Sequence, residues 1–159
     1  MINIRPIREE DLEFKIKWYN DDRIRKYLHY EEKFEYEKTL NWFRGIKDNK
    51  SRFENIIEYK GKPVGIIGLF DIDEKNKKAG IYITIGEVDL QGKGIAYNSM
   101  LKFMRECFDN FKLEKIYLYT DLENIIAQRL YEKIGFKREG ILRKELYFQG
   151  RYIDRLYYG

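Results

Sequence analysis

The chain has 159 residues, enough for one domain with a substantial core, and 43% of them are hydrophobic, as in globular proteins. Its 31 basic and 27 acidic residues leave a net charge of +4, and the lysines are scattered, so no nucleic-acid partner is predicted. Because the only cysteine is Cys107, an internal disulfide and a cysteine-rich metal site are excluded, and we predict no metal.

The amino terminus and the two rare side chains add three expectations. Residues 1–6 read as a strand and no apolar stretch reaches 18 residues, so we predict no signal peptide, no membrane partner and a cytoplasmic location. Cys107 lies beside the apolar face of a predicted helix, which favours a buried structural thiol. The lone histidine, His29, is expected to be partly exposed in a loop or at a helix end.

The first half of the chain mixes helical and extended patterns. Leu12, Ile16 and Tyr19 recur at helical spacing, and Lys60-Gly61-Lys62-Pro63 is a strong hairpin signal. The predicted elements are an entry strand from Ile2, a helix over residues 8–20, a short helix over 21–28, a helix carrying Leu40, Phe43 and Ile46 that ends near 47, and strands over 53–59 and 64–71.

The second half reads as strand, helix, strand, helix and a closing hairpin. The lysine-rich run at 75–78 is predicted to be a solvated turn that precedes the first of these strands. The predicted elements are a strand over residues 79–86, a helix over 94–110, a strand over 115–120, a helix over 123–134 and strands over 136–148 and 152–158. We therefore expect a mixed α+β fold in one domain over residues 1–159.

A glycine-rich segment, Gln91-Gly92-Lys93-Gly94-Ile95-Ala96, joins the strand over 79–86 to the following helix. Glycines let the backbone approach a ligand closely, and the free amides of a helix start attract negative charge. The segment does not fit a P-loop, because Lys93 is followed by Gly94, nor a dinucleotide fingerprint, because Tyr97 stands where the third glycine is needed. A pyrophosphate in some other arrangement is the predicted ligand.

A second motif begins at Asn124 and continues through Ala127, Tyr131, Gly135 and Phe136. Together the two motifs resemble those of the GNAT superfamily of N-acetyltransferases, in the subgroup that contains polyamine and ribosomal-protein N-terminal acetyltransferases. The resemblance implies a single-domain GNAT fold, with a mostly antiparallel twisted sheet, a splayed parallel strand pair and flanking helices. It also implies an enzyme that uses acetyl-CoA as co-substrate.

The resemblance assigns cofactor contacts to three parts of the chain. The pantetheine arm would pair with the strand before the loop, at Ile83, Thr84 and Ile85, and one amide of this strand would stabilise the oxyanion. The pyrophosphate would bind the loop. The implied cofactor-binding residues are Ile83, Thr84, Ile85, Gln91, Gly92, Lys93, Gly94, Ile95, Ala96 and Asn124.

The resemblance makes Tyr131 the general acid that protonates the CoA sulfur. A phenol stays protonated at neutral pH, which suits this role. Many relatives carry a glutamate base on the strand before the loop, but residues 79–86 contain no carboxylate. Glu87 and Asp121 remain, each acting through a water, unless the amine arrives deprotonated, and Asp121 is the residue we nominate.

The acceptor site of the family is commonly built from the first two helices, the loop between them and the closing strands. Here that loop is rich in carboxylates, which attract cations, and in aromatic rings, which hold methylenes or ammonium groups. We nominate Glu31, Glu32, Glu35 and Tyr36 as acceptor-binding residues. A diamine or polyamine is the favoured acceptor, although the same glutamates also suit an ordinary solvated helix start.

Other acceptors and one other class of protein remain open. The subgroup also acetylates protein amino termini, amino-sugar nucleotides and aminoglycosides, so the partner is a small-molecule or peptide amine. A CoA-binding sensor without turnover is the alternative outside enzymes. Aromatic residues of the closing hairpin, Tyr147, Tyr157 and Tyr158, favour a homodimer, provided that some of them are exposed.

Overall fold

The structure is a computed structural model that describes all residues, Met1–Gly159. It contains five α-helices, with 3-10 turns at Glu9–Asp11 and Val88–Leu90. The helices are α1 Leu12–Asn20, α2 Asp22–Arg25, α3 Tyr36–Ile46, α4 Ile95–Phe111 and α5 Ile125–Ile134. The strands are β1 Ile2–Pro6, β2 Phe53–Tyr59, β3 Lys62–Asp73, β4 Lys78–Ile85, β5 Lys115–Asp121, β6 Arg138–Phe148 and β7 Arg151–Tyr158.

All seven strands form one sheet in the order β1-β2-β3-β4-β5-β7-β6. Every neighbouring pair is antiparallel except β4 and β5, which run parallel. These two strands pair only at their first three residues, Lys78–Gly80 with Lys115–Tyr117. Beyond them β4 pairs only with β3, and β5 pairs only with β7. The sheet therefore opens between the carboxyl ends of β4 and β5, as the predicted fold requires.

The two faces of the sheet are covered by different helices. One face packs on α4 and α5 through the largest core cluster, which includes Phe103, Leu118 and Leu156. On the other face, Trp18 and Tyr19 of α1 pack against strand residues such as Ile56. Because successive side chains on a strand alternate between faces, each strand supplies both cores. We call these the α4 face and the α1 face.

Most predicted elements are confirmed, with shifts of a few residues at their ends. The helix predicted from residue 8 begins with a 3-10 turn and becomes α-helical at Leu12. The lysine-rich run forms the turn between β3 and β4, and Cys107 is buried, as predicted. Burial raises the pKa of the Cys107 thiol to about 12, which makes this cysteine unreactive at neutral pH.

The closing hairpin does not expose all of its aromatic residues. Tyr147 is 65% exposed, whereas Tyr158 is fully buried in the core of the α4 face. Tyr157 is half-buried and stacks on Tyr117 of β5. The expectation of exposure therefore holds for Tyr147 and is wrong for Tyr158.

Candidate active site

The glycine loop lies at the amino end of α4 and is exposed over Gln91–Gly94. Gly92 and Gly94 have φ angles of 79° and 80°, in the left-handed region that favours glycine. Gly94 is the N-cap residue of α4, and no side chain caps the helix. The amides of the first turn, Ile95 to Tyr97, therefore lack an intrahelical acceptor and are available to an anion.

The surroundings of the loop add positive charge and fix its position. A cavity of about 440 Å³ beside it is lined in part by Lys93 and Lys102. The Gln91 side-chain amide donates a hydrogen bond of 3.2 Å to the Ile85 carbonyl, which ties the loop to the end of β4. Gln91 thus holds the loop in place, and the amides and cations create a site suited to a pyrophosphate.

The backbone of β4 presents alternate residues to the opening in the sheet. The Lys77 carbonyl accepts hydrogen bonds from Glu114 and Lys115 on the β5 side, and the Gly86 amide donates to Val64 on the β3 side. Since backbone groups alternate along a strand, odd-numbered residues of β4 point toward β5.

This alternation divides the three residues predicted to contact the pantetheine arm. Ile83 and Ile85 direct their backbone groups into the opening, although the Ile85 carbonyl is already bonded to Gln91. Thr84 directs its backbone to β3 instead, where it lies opposite Ile66. The backbone of Thr84 is therefore not available for the predicted pairing.

Asn124 and Tyr131 both belong to the α5 segment. Asn124 is the N-cap residue, and its side-chain oxygen accepts a hydrogen bond of 3.2 Å from the Ala127 amide. Its NH₂ group makes no hydrogen bond within the chain, so it is free to donate. Asn124 thus has a structural role at the helix start besides the predicted cofactor contact.

Tyr131 is half-buried on the α4 face. Its ring lies 6.1 Å from that of Phe136 and 6.3 Å from that of Tyr158, between ring centroids. Burial raises the pKa of Tyr131 to about 12, so the phenol remains a proton donor throughout the neutral range. The hydroxyl donates to no other residue of the chain, so it is free to donate to a ligand.

The α1 face of the opening carries a cluster that the sequence did not reveal. The Asp121 carboxylate, at the end of β5, lies 2.7 Å from Nε2 of His29 through Oδ2 and 3.3 Å from Nε of Arg155 through Oδ1. The Asp121 residue is only 5% exposed. Asp121 is therefore at the predicted place, but both of its oxygens already face partners.

His29 is a loop residue of intermediate burial, as expected, but it makes contacts that the sequence does not predict. Its side chain is 11% exposed, and its ring meets that of Phe148 edge-on with 5.4 Å between centroids. The contact between His29 and Asp121 could not be predicted from a local sequence pattern, because the two residues are 92 positions apart in the chain.

The predicted acceptor-binding residues lie together in the segment that follows His29 and at the start of α3. Arg25 holds this segment by donating to the carbonyls of Tyr30 and Glu32. Asn20 bonds both backbone groups of Phe34. The side chains nominated for the acceptor all belong to exposed residues: Glu31, Glu32, Glu35 and Tyr36.

A sheet that opens between two parallel strands, with a helix start suited to an anion at the opening, is the arrangement that the resemblance to CoA-dependent acyltransferases implied. The profile described as acetyltransferase (GNAT) domain matches residues 2–137 of the chain. The chain belongs to this family and is an acetyl-CoA-dependent N-acetyltransferase, as the sequence motifs indicated.

Similar proteins support this assignment over nearly the whole chain. Spermidine N(1)-acetyltransferase of Escherichia coli K12 is 31% identical over 95% of this chain and 81% of its own length. The Vibrio cholerae enzyme of the same name is 32% identical over 96% of this chain and 88% of its own. The putative ribosomal N-acetyltransferase YdaF of Bacillus subtilis is 29% identical over 99% and 89%, respectively.

The fold matches that of a solved relative. The crystal structure of spermidine N-acetyltransferase from Vibrio cholerae in complex with CoA and spermine has a TM-score of 0.90 to this structure. The two chains are 28% identical, and the match covers 98% of this chain and 94% of the other.

No helix of this chain has the length and apolarity needed to cross a bilayer.

Proposed function

We propose that this enzyme transfers the acetyl group of acetyl-CoA to a primary amine of a diamine or polyamine. The observation that carries the proposal is the similarity to spermidine N-acetyltransferases over at least 95% of the chain, including a structure with CoA and spermine. The proposed catalytic domain extends over residues 1–159.

The segment after His29 supports a cationic acceptor. Glu31 forms no ion pair within the chain. Glu32 forms one ion pair, 3.5 Å long, with the exposed ammonium of Lys38, and exposed pairs of this kind are weak. Tyr30 and Phe34 stack edge-to-face with 4.9 Å between centroids, next to these carboxylates. Carboxylates and aromatic rings in one segment are suited to a ligand with alternating ammonium and methylene groups.

In the proposed mechanism the amine attacks the thioester directly in a ternary complex. Acetyl-CoA would bind on the α4 face, with its pyrophosphate on the amides from Gly92 to Ala96 and its arm along Ile83 and Ile85. A backbone amide of β4 that faces the opening would stabilise the oxyanion. Tyr131 would protonate the departing sulfur, and the NH₂ group of Asn124 would donate to the cofactor.

A protein amino terminus is the second candidate acceptor, because the putative ribosomal N-acetyltransferase YdaF matches 99% of the chain. The test is CoA release with spermidine, putrescine, an aminoglycoside, an amino-sugar nucleotide and short peptides. We expect selective turnover of the polyamines. Faster turnover of a peptide would replace the proposal with the second candidate, and turnover of no amine, with acetyl-CoA still binding, would favour a sensor.

The double variant Glu31→Gln/Glu32→Gln is expected to raise KM for spermidine about fivefold, ~1 kcal/mol, because two exposed carboxylates no longer attract the cation. Turnover at saturation and affinity for acetyl-CoA should not change. Glu106→Gln, at an exposed position of α4, is the control for the loss of charge alone. Equal KM values for all three proteins would show that Glu31 and Glu32 do not bind the acceptor.

Three further expectations from the sequence stay predictions. They are a cytoplasmic location, the absence of nucleic-acid and membrane partners, and a homodimer. Tyr147 and Tyr152, which are 65% and 60% exposed, support the homodimer, because exposed aromatic rings are typical of interfaces. Light scattering after size exclusion measures the assembly directly.

A further inference from the structure

His29 is fixed by three separate parts of the fold at the open end of the sheet. Its backbone has a φ of 61°, an uncommon conformation outside glycine. His29 lies directly before the segment that contains the predicted acceptor-binding residues. Asp121 of β5 holds one ring nitrogen, and Phe148 of β6 covers one side of the ring. The contacts from β5 and β6 thus hold the imidazole in one orientation.

The cluster lies across the sheet from the predicted general acid. Leu118 belongs to the core of the α4 face, as does Tyr131. Because side chains alternate along β5, Asp121 projects to the α1 face. Asp121 stands four residues beyond Tyr117, the last residue of β5 that pairs with β4. The opening therefore has a phenol on one side and an imidazole on the other.

The contact with Asp121 determines which ring nitrogen carries the proton in neutral His29. An ionised carboxylate can only accept hydrogen bonds, so Nε2 must donate. Nδ1 then has a free lone pair, and it has no hydrogen-bond partner within the chain. The result is an oriented imidazole whose unprotonated nitrogen can accept a proton, the arrangement that an adjacent carboxylate creates in catalytic triads.

We propose that His29 is the general base of the acetyl transfer and that Asp121 is its positioning residue. Nδ1 takes one proton from the attacking nitrogen of the acceptor as the C–N bond forms. The C–S bond then breaks with its electron pair on sulfur, which takes the proton of Tyr131. The imidazolium returns its proton through solvent to the tyrosinate, so the products are the acetamide and CoA thiol.

The other carboxylates near the opening are less suited to this step. Asp121 is buried, with both oxygens facing partners. Glu54 lies on β2, two strands from the opening, where it bonds Arg52. Residues 78–86, which include all of β4, contain no carboxylate. Glu87, just beyond β4, lies 3.5 Å from the ammonium of Lys17. His29 offers Nδ1, a proton-accepting atom that has neither a hydrogen bond nor an ion pair within the chain.

The electrostatic surroundings of the ring come from two strands. Asp121 of β5 supplies a negative charge at 2.7 Å from Nε2, and Arg155 of β7 supplies a positive charge on the far side of that carboxylate. Phe148 of β6 contributes only its ring. The carboxylate, which is in direct contact, offsets the positive charge that the ring gains with the proton.

His29→Gln tests the proposal, because the glutamine amide can still donate to Asp121 but cannot take up a proton. We expect kcat to fall about a hundredfold, while acetyl-CoA binds as before. The assay uses whichever amine of the panel is turned over, so it is independent of the polyamine assignment. A kcat within twofold of the parent would overturn the proposal.

Asn20→Ala is the control for mere anchoring of the segment, because Asn20 holds Phe34 without touching His29. This variant should weaken acceptor binding but keep kcat within twofold of the parent. A second measurement needs no variant, because the chain has a single histidine and gives one set of imidazole NMR signals. We expect the proton of the neutral ring on Nε2, and a proton on Nδ1 would refute the base role.

Discussion

Gly94→Asp is expected to weaken acetyl-CoA binding at least a hundredfold, ~2.7 kcal/mol. The φ of Gly94 is 80°, a conformation that costs a residue with a side chain about 1–2 kcal/mol, so the cap of α4 would distort. The new carboxylate would also stand beside the free amides of the first turn and repel the pyrophosphate. Titration calorimetry with acetyl-CoA on the folded variant measures the effect.

Gly150→Asp is a matched control for this prediction. Gly150 has a φ of 77°, nearly that of Gly94, and lies in the turn between β6 and β7 at the far edge of the sheet. The same substitution there brings the same strain and the same charge, but away from the helix start. If both variants, or neither, lost acetyl-CoA affinity, the pyrophosphate would not bind at the Gly94 loop.

Features that depend on neighbouring residues could be predicted from the sequence. The strand predicted over 53–59 is β2 as observed, because the hairpin signal after it is local: Lys60 and Gly61 both adopt positive φ. The glycine loop was recognisable for the same reason. Its spacing of glycines matches the two positive φ angles that the chain needs before α4.

Features that depend on distant residues could not be predicted in this way. The pair of His29 and Asp121 joins positions 92 residues apart, so neither local pattern contains it. A strand sequence does not show which edge each backbone group faces, so the sequence alone predicts the same cofactor contact for Thr84 as for Ile83 and Ile85. That edge is decided by the pairing of β4 with β3, which places Thr84 opposite Ile66. The contact of His29 with Asp121 and the backbone direction of Thr84 therefore needed the structure, whereas the glycine loop did not.

Tyr158→Phe is the control variant for a test of Tyr131, because it removes a neighbouring tyrosine hydroxyl. The Tyr158 hydroxyl donates a hydrogen bond of 2.6 Å to Glu132, and its ring lies beside that of Tyr131. Loss of this bond is expected to lower the free energy of unfolding by about 2 kcal/mol, because a hydrogen bond to a carboxylate contributes more than one between neutral groups. Turnover should stay within twofold, since this hydroxyl already has its partner.

Tyr131→Phe is expected to lower kcat at least tenfold, about 1.4 kcal/mol of barrier, while acetyl-CoA affinity stays the same. Phenylalanine keeps the packing against Phe136 and Tyr158, so only the proton donor is lost. Burial keeps that phenol protonated, and without it the thiolate must leave unprotonated or take a proton from water. Single-turnover release of CoA measures this step, and a rate equal to that of Tyr158→Phe would remove Tyr131 as the acid.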